Sequence, residues 1–141
     1  MFSLCILNWK RKENVIKIVN NMCNFKFISE ILISNGNIEH AVNTLDFSNN
    51  TKIKIYDDSI NNKFYGLELR FINSLRAIND NIIIIDDDVN IVESELNKLI
   101  EKYNENKDRL VGNWGRHIDN GWKFRNRHKD VDIVLTKLLI C

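Results

Sequence analysis

The chain has no proline, only 5 glycines and 3 cysteines among its 141 residues, and a formal charge of just +1. Each scarcity excludes something. Without proline and with so little glycine, collagen-like and proline-rich linker sequences are ruled out. The cysteines, Cys5, Cys23 and Cys141, are odd in number and share no metal-ligand spacing, so no disulfide framework is expected. Cys5 and Cys23 fall on apolar positions, which suits buried thiols in a reducing cytosol. With 20 basic against 19 acidic side chains, bulk electrostatic attraction to nucleic acid or an anionic membrane is excluded. No apolar stretch nears the roughly 20 residues that span a bilayer. The start, Met1 to Leu7, lacks a basic n-region and a small-residue cleavage site, so a cytoplasmic protein without a leader is expected.

What is present supports a core. Hydrophobic residues make up 44% of the chain, and this length predicts a single domain over residues 1–141. There are 22 asparagines and 21 isoleucines, as an AT-rich coding sequence would write. Asparagine takes over the turn positions that glycine and proline would otherwise fill.

An apolar run over residues 3–8 is bounded by the polar cluster Asn8 to Asn14, and Val15, Ile18, Val19 and Met22 follow at helical spacing. Ile28, Ile31, Leu32 and Ile33 form a second run, stopped by the turn Ser34-Asn35-Gly36-Asn37. Ile53, Ile55 and Tyr56 read as a third strand. Phe64, Leu67, Phe71, Leu75 and Ile78 fall on one face of a helix. Ile82–Ile85 is apolar at every position, the mark of a strand buried on both faces of a parallel sheet. Val92, Leu96, Leu99 and Tyr103 continue as an amphipathic helix. Strands alternating with helices predict βαβ units and an α/β layered fold. Ligands in such sheets bind outside the carboxyl ends of the strands. The polar residues there are Asn8 to Arg11, Asn35 to Asn37, Asp57-Asp58 and Asp86-Asp87-Asp88.

Three consecutive carboxylates after a buried strand repel one another, and a low-dielectric surrounding sharpens the cost. They are relieved by protonation, by water, or by a cation such as Mn²⁺ or Mg²⁺ that takes carboxylate and phosphate oxygens. Extended geometry would aim Asp86 and Asp88 one way and Asp87 the other. The plainer alternative is a solvated strand end that caps the next helix near Asn90.

Ile82–Ile85, Asp86-Asp87-Asp88-Val89, Asp108-Arg109-Leu110-Val111-Gly112 and Gly115-Arg116 together resemble the exostosin-like glycosyltransferases, glycosyltransferase family 64. The segment Leu7-Asn8-Trp9-Lys10-Arg11, Trp122 and Val134-Leu135-Thr136 extend the likeness along the chain. The resemblance implies a GT-A fold, a Rossmann-like, mainly parallel sheet flanked by helices, with a DxD-type motif that binds a divalent metal and a nucleotide sugar. It implies a metal-dependent transferase using UDP-GlcNAc, UDP-GalNAc or UDP-glucose, with a glycan or protein acceptor. Carried over by position, Asn8 and Arg11 contact uracil and phosphate, Asn35 lies near the base, and Arg70 contacts the donor. Asp86 and Asp87 touch ribose and donor sugar, and Asp88 holds the metal.

Each of these residues has a plainer use. Arg11 suits a solvated helix start, Arg70 an ion pair with Glu68, and Asn35 an ordinary turn; Arg76 is the other arginine of the segment. Trp9 and Trp114 suit the core or a cleft wall. Between residues 109 and 129, Arg109, Arg116, Lys123, Arg125, Arg127 and Lys129 face one acid, Asp119, with His117 and His128 nearby. This asymmetry reads either as a cationic wall over a pyrophosphate or as a solvated hairpin. Nucleic-acid binding would want a larger basic excess with interleaved aromatic residues. Relative to the family, the chain stops at Cys141, before the segment that carries acceptor contacts and an acidic catalytic residue, and Lys137 replaces a usual glycine. The expectation is therefore a short form whose catalytic residue is unassigned. The alternatives are a UDP-sugar-binding module with weak or no turnover, working in an oligomer through an exposed edge strand, and, more remotely, a phosphatase of the haloacid dehalogenase type.

Overall fold

The computed structural model describes residues 1–113, 116–118, 124–126 and 138–141, and these fall into two compact units, 1–90 and 91–141. In the first unit, the apolar runs become strands and the 3.6-period stretches become helices, as patterning dictates. The order is β1 (Phe2–Asn8), α1 (Lys12–Met22), β2 (Ile28–Asn35), β3 (Ile53–Asp57), α2 (Ser59–Tyr65), α3 (Leu69–Ser74) and β4 (Ile82–Asp86). Two short 3₁₀ turns, Ile38–His40 and Thr44–Phe47, sit between β2 and β3.

The four strands form a parallel sheet in the order β3-β2-β1-β4. Every residue of β1 is buried, and β2 is buried at all but Ser29. Central strands covered on both faces leave no alternating polar side, which suits the continuous apolar stretches Leu4–Leu7 of β1 and Ile31–Ile33 of β2. From α1, Val15, Ile18, Val19 and Met22 add to the core; α3 packs on β1, β2 and β4. This is the expected α/β, GT-A-like architecture, a four-stranded parallel sheet flanked by helices.

Register places the strand ends in a row: Asn8 lies beside Asn35, Asn35 beside Asp57, and Leu7 beside Asp86. The polar residues flagged at the strand termini therefore come to one edge.

The helix expected through Phe64–Ile78 differs. Gly66 ends α2 with φ +51° and ψ −129°, a backbone setting that side-chain-bearing residues rarely adopt, and one 3₁₀ turn leads into α3. The expected apolar face is also turned to solvent: Leu69 and Asn73 are the buried residues of α3, while Phe64, Leu67, Phe71, Leu75 and Ile78 are exposed. Periodicity identifies an apolar stripe but not the side of the helix that meets the core.

In the second unit, α4 (Glu93–Glu105) buries Leu96 and Tyr103 and packs on β5 (Val111–Asn113). Strands β6 (Arg116–Ile118) and β7 (Phe124–Asn126) form an antiparallel pair, and β8 (Leu138–Ile140) pairs antiparallel with β5. Among the described residues, no helix is long and apolar enough to cross a membrane.

Candidate functional site

At the end of β1, Asn8 is fully buried, and its Nδ2 donates to Asn35 Oδ1 (2.8 Å) and to the His40 carbonyl (2.7 Å). The orientation is fixed from behind. Asn35 Nδ2 donates to the Val42 carbonyl (2.9 Å) and its Oδ1 accepts the Val42 amide (3.0 Å), so only a donor from Asn8 fits against that oxygen. The Asn8 Oδ1 is left buried with no partner. Asn35, read as a base contact or a turn, here closes a bracket between β2 and the following loop.

β4 stops at Asp86, whose carbonyl accepts the Val89 amide (3.2 Å) in a tight turn. The extended alternation expected of the triplet therefore ends there. Asp87 and Asp88 share one cation: Arg11 Nη1 donates to Asp87 Oδ1 at 2.6 Å and lies 3.8 Å from Asp88 Oδ2. Asp86 takes a separate partner, Arg70 Nη1. Arg70 thus reaches across from α3 to β4 rather than pairing with Glu68. Its guanidinium also lies 4.9 Å over the Phe71 ring, and its Nε is buried without a partner. The hydrogen bond from Arg11 to Asp87, together with the field of all three carboxylates, outweighs desolvation and raises the Arg11 pKa further.

Among the described residues, two guanidiniums, those of Arg11 and Arg70, face the three carboxylates. Among the described residues, no three His, Cys, Asp or Glu side chains gather into a cluster that could hold a metal. Asp88, with its side chain 30% exposed, lies 3.8 Å from Arg11 Nη1, a longer contact than the 2.6 Å one that Arg11 makes to Asp87. A hard cation there would take one protein oxygen and draw its remaining ligands from phosphate and water, which is how Mg²⁺-type sites are commonly filled.

A second cluster lies beside this one and was visible in sequence only as Asp57-Asp58. Asp58 is buried. It accepts from Ser34 Oγ (2.5 Å), from Asn61 Nδ2 (2.9 Å), and from both Arg76 nitrogens (2.6 and 2.8 Å). Arg76 in turn stacks 4.3 Å over the Tyr56 ring. The forked Arg76 pair holds the Asp58 carboxyl down at about 2. Arg76, the alternative to Arg70 in the sequence, is therefore committed to this clamp. Spacing gave no sign of it, because partners at 18 and 24 residues' separation meet only through the sheet.

Asn8, Asn35, Arg11, Arg70, Asp86, Asp87 and Asp88 all gather at the carboxyl ends of the strands. Trp9, read as core or cleft wall, is 42% exposed. Trp114, Gly115, Asp119, Trp122, Lys123, Arg127, His128, Lys129 and the Val134–Lys137 stretch lie outside the described residues, as do the side chains of Arg116, His117 and Arg125.

The family model for the glycosyl transferase family 64 domain matches residues 2–141. Among curated proteins, no sequence matches the chain.

Proposed function

The chain belongs to glycosyl transferase family 64, and from that premise we propose that residues 1–141 act as one GT-A-like donor-binding domain of a metal-dependent glycosyltransferase that takes a UDP-sugar. One observation carries the reading. Among the described residues, the two buried side-chain atoms without a hydrogen-bond partner are Asn8 Oδ1 and Arg70 Nε, and both belong to this cluster. Buried polar groups are normally satisfied, so an acceptor and a cationic donor left open together mark a place that a ligand completes.

The chemistry of the two atoms fits a uridine diphosphate. Asn8 Oδ1 is an acceptor locked in place by Asn35, and uracil offers an N3–H donor where cytosine offers a lone pair. Arg11 and Arg70 supply forked N–H donors for diphosphate oxygens, the geometry in which guanidinium outperforms ammonium. Asp86 and Asp87, each held by one of these arginines, accept from hydroxyl groups of the ribose and donor sugar. Asp88 would hold Mn²⁺ or Mg²⁺, which when bound supplies charge neutralisation to the leaving diphosphate. Positive groups aimed where charge develops on that leaving group lower the barrier to breaking the sugar–phosphate bond. The acceptor is a glycan or protein, and the residue that acts on it is unassigned.

Titration calorimetry tests the donor site. UDP with Mn²⁺ is expected to bind, to bind more tightly than CDP, and to lose at least tenfold in affinity in Asp88→Ala. Absence of UDP binding in the presence of Mn²⁺, or equal binding by Asp88→Ala, overturns it. Release of free sugar or its transfer to an acceptor separates a turning-over enzyme from a UDP-sugar-binding module.

A further inference from the structure

Seven large apolar side chains are exposed within 19 residues: Ile60, Phe64 and Tyr65 on α2, Leu67 on the 3₁₀ turn, Phe71 on α3, and Leu75 and Ile78 just after it, from 43% at Phe71 to 84% at Leu75. α2, the 3₁₀ turn and α3 pack against one another, and Leu75 and Ile78 follow within four residues of the end of α3. Taking about 200 Å² for a fully exposed large side chain, the seven side chains present on the order of 900 Å². The largest apolar patch on an ordinary monomer is about 300–600 Å². One side of a standard stable interface is about 800 Å².

We propose that this face is where a second copy of the chain docks, forming a two-fold dimer. Charge selects that occupant. Residues 59–78 carry four charged side chains, and two of them, Arg70 and Arg76, are committed to Asp86 and Asp58. The other two, Lys63 and Glu68, are exposed and of opposite sign. A two-fold interface sets residue i against j and j against i, so Lys63 of one protomer meets Glu68 of the partner subunit, and the reverse. A surface with one positive and one negative group complements itself. It lacks the basic excess that holds an amphipathic helix on anionic lipid. Phe71 lies under the Arg70 guanidinium, so the interface abuts the donor-binding arginine.

Sedimentation velocity on the 141-residue chain tests this. A dimer is expected at about 10–100 μM, the range in which an interface of micromolar strength is populated. Leu67→Asp with Leu75→Asp is expected to give a monomer with unchanged circular dichroism and melting temperature. Lys63→Glu alone and Glu68→Lys alone are each expected to weaken the dimer about tenfold, and combining them to restore it, the coupling expected of two groups in contact. The charge series leaves the apolar residues untouched, so it decides the matter even if the aspartate variant misfolds. A monomer at 100 μM, a dimer undisturbed by these changes, or binding to lipid vesicles that Leu67→Asp/Leu75→Asp abolishes, overturns the proposal.

Discussion

The two ends of one sheet carry similar chemistry to opposite effect. At the amino ends of the strands, Glu30 is buried and fully answered: Lys54 Nζ reaches Oε1 at 2.6 Å, while Ser3 Oγ (2.7 Å) and the Ile78 amide (3.0 Å) reach Oε2. Burial pushes the Glu30 carboxyl up, but the Lys54 ammonium, the Ile78 amide and the Ser3 hydroxyl outweigh it and hold the pKa below the usual value. At the carboxyl ends, among the described residues, Arg11 and Arg70 reach Asp86, Asp87 and Asp88, and two buried polar atoms, Asn8 Oδ1 and Arg70 Nε, have no hydrogen-bond partner. Charge buried for structure is saturated by the protein itself, whereas the proposed donor site would leave polar atoms for its ligand to complete.

The largest effect should come from the saturated end. Glu30→Ala is expected to cost about 3 kcal/mol, since it strips a buried network of its acceptor. For a chain of this size that lowers the melting temperature by roughly 10 °C. UDP affinity of the folded fraction should stay within about twofold. A loss of affinity as large as the loss of stability would erase the distinction between the two ends.

Asp58 sharpens the comparison, because it lies at the carboxyl edge yet is saturated like Glu30. Its folded pKa is about 2 against an ordinary 3.8. A depressed carboxyl contributes stability above the unfolded pKa and loses it as pH falls through the folded one. Urea melts of the wild type should therefore lose about 2 kcal/mol between pH 4 and pH 2 from this group. Asp58→Asn, less stable at neutral pH, should show a flatter acid limb. Equal acid slopes would mean that the clamp is not formed in solution.

The smallest effect belongs to the incomplete end. Arg70→Lys keeps the charge but loses the fork, so UDP binding should weaken about tenfold. Melting temperature should fall by only about 2–3 °C. A large stability loss with intact affinity would make Arg70 a structural arginine.

Much of this was legible in the sequence. Ile82–Ile85 followed by three aspartates reads as a buried strand with a polar end, and parallel strands bring their carboxyl ends together, so Asn8, Asn35 and Asp86 come to one edge. Two things were hidden. Glu30 is a lone charge in an apolar strand, and nothing local tells that Ser3, Lys54 and Ile78 converge on it from 27, 24 and 48 residues away. The stripe Phe64 to Ile78 has the period of a core helix, and the same period describes an outward face. Only the packing of Leu69 and Asn73 against the sheet decides which side is inside.

The strand order has a kinetic consequence. β1, the first segment of the chain, lies between β2 and β4, and the Arg11–Asp87 contact joins residues 76 positions apart. Closing so long a loop is slow relative to local helix formation. The triplet can meet Arg11 only after β4 has docked, so the carboxyl edge is completed as the first unit finishes folding. A ligand that spans Arg11 and Asp88 would then fasten the two ends of that ninety-residue unit to each other, slowing the release of β4 rather than steadying a single loop.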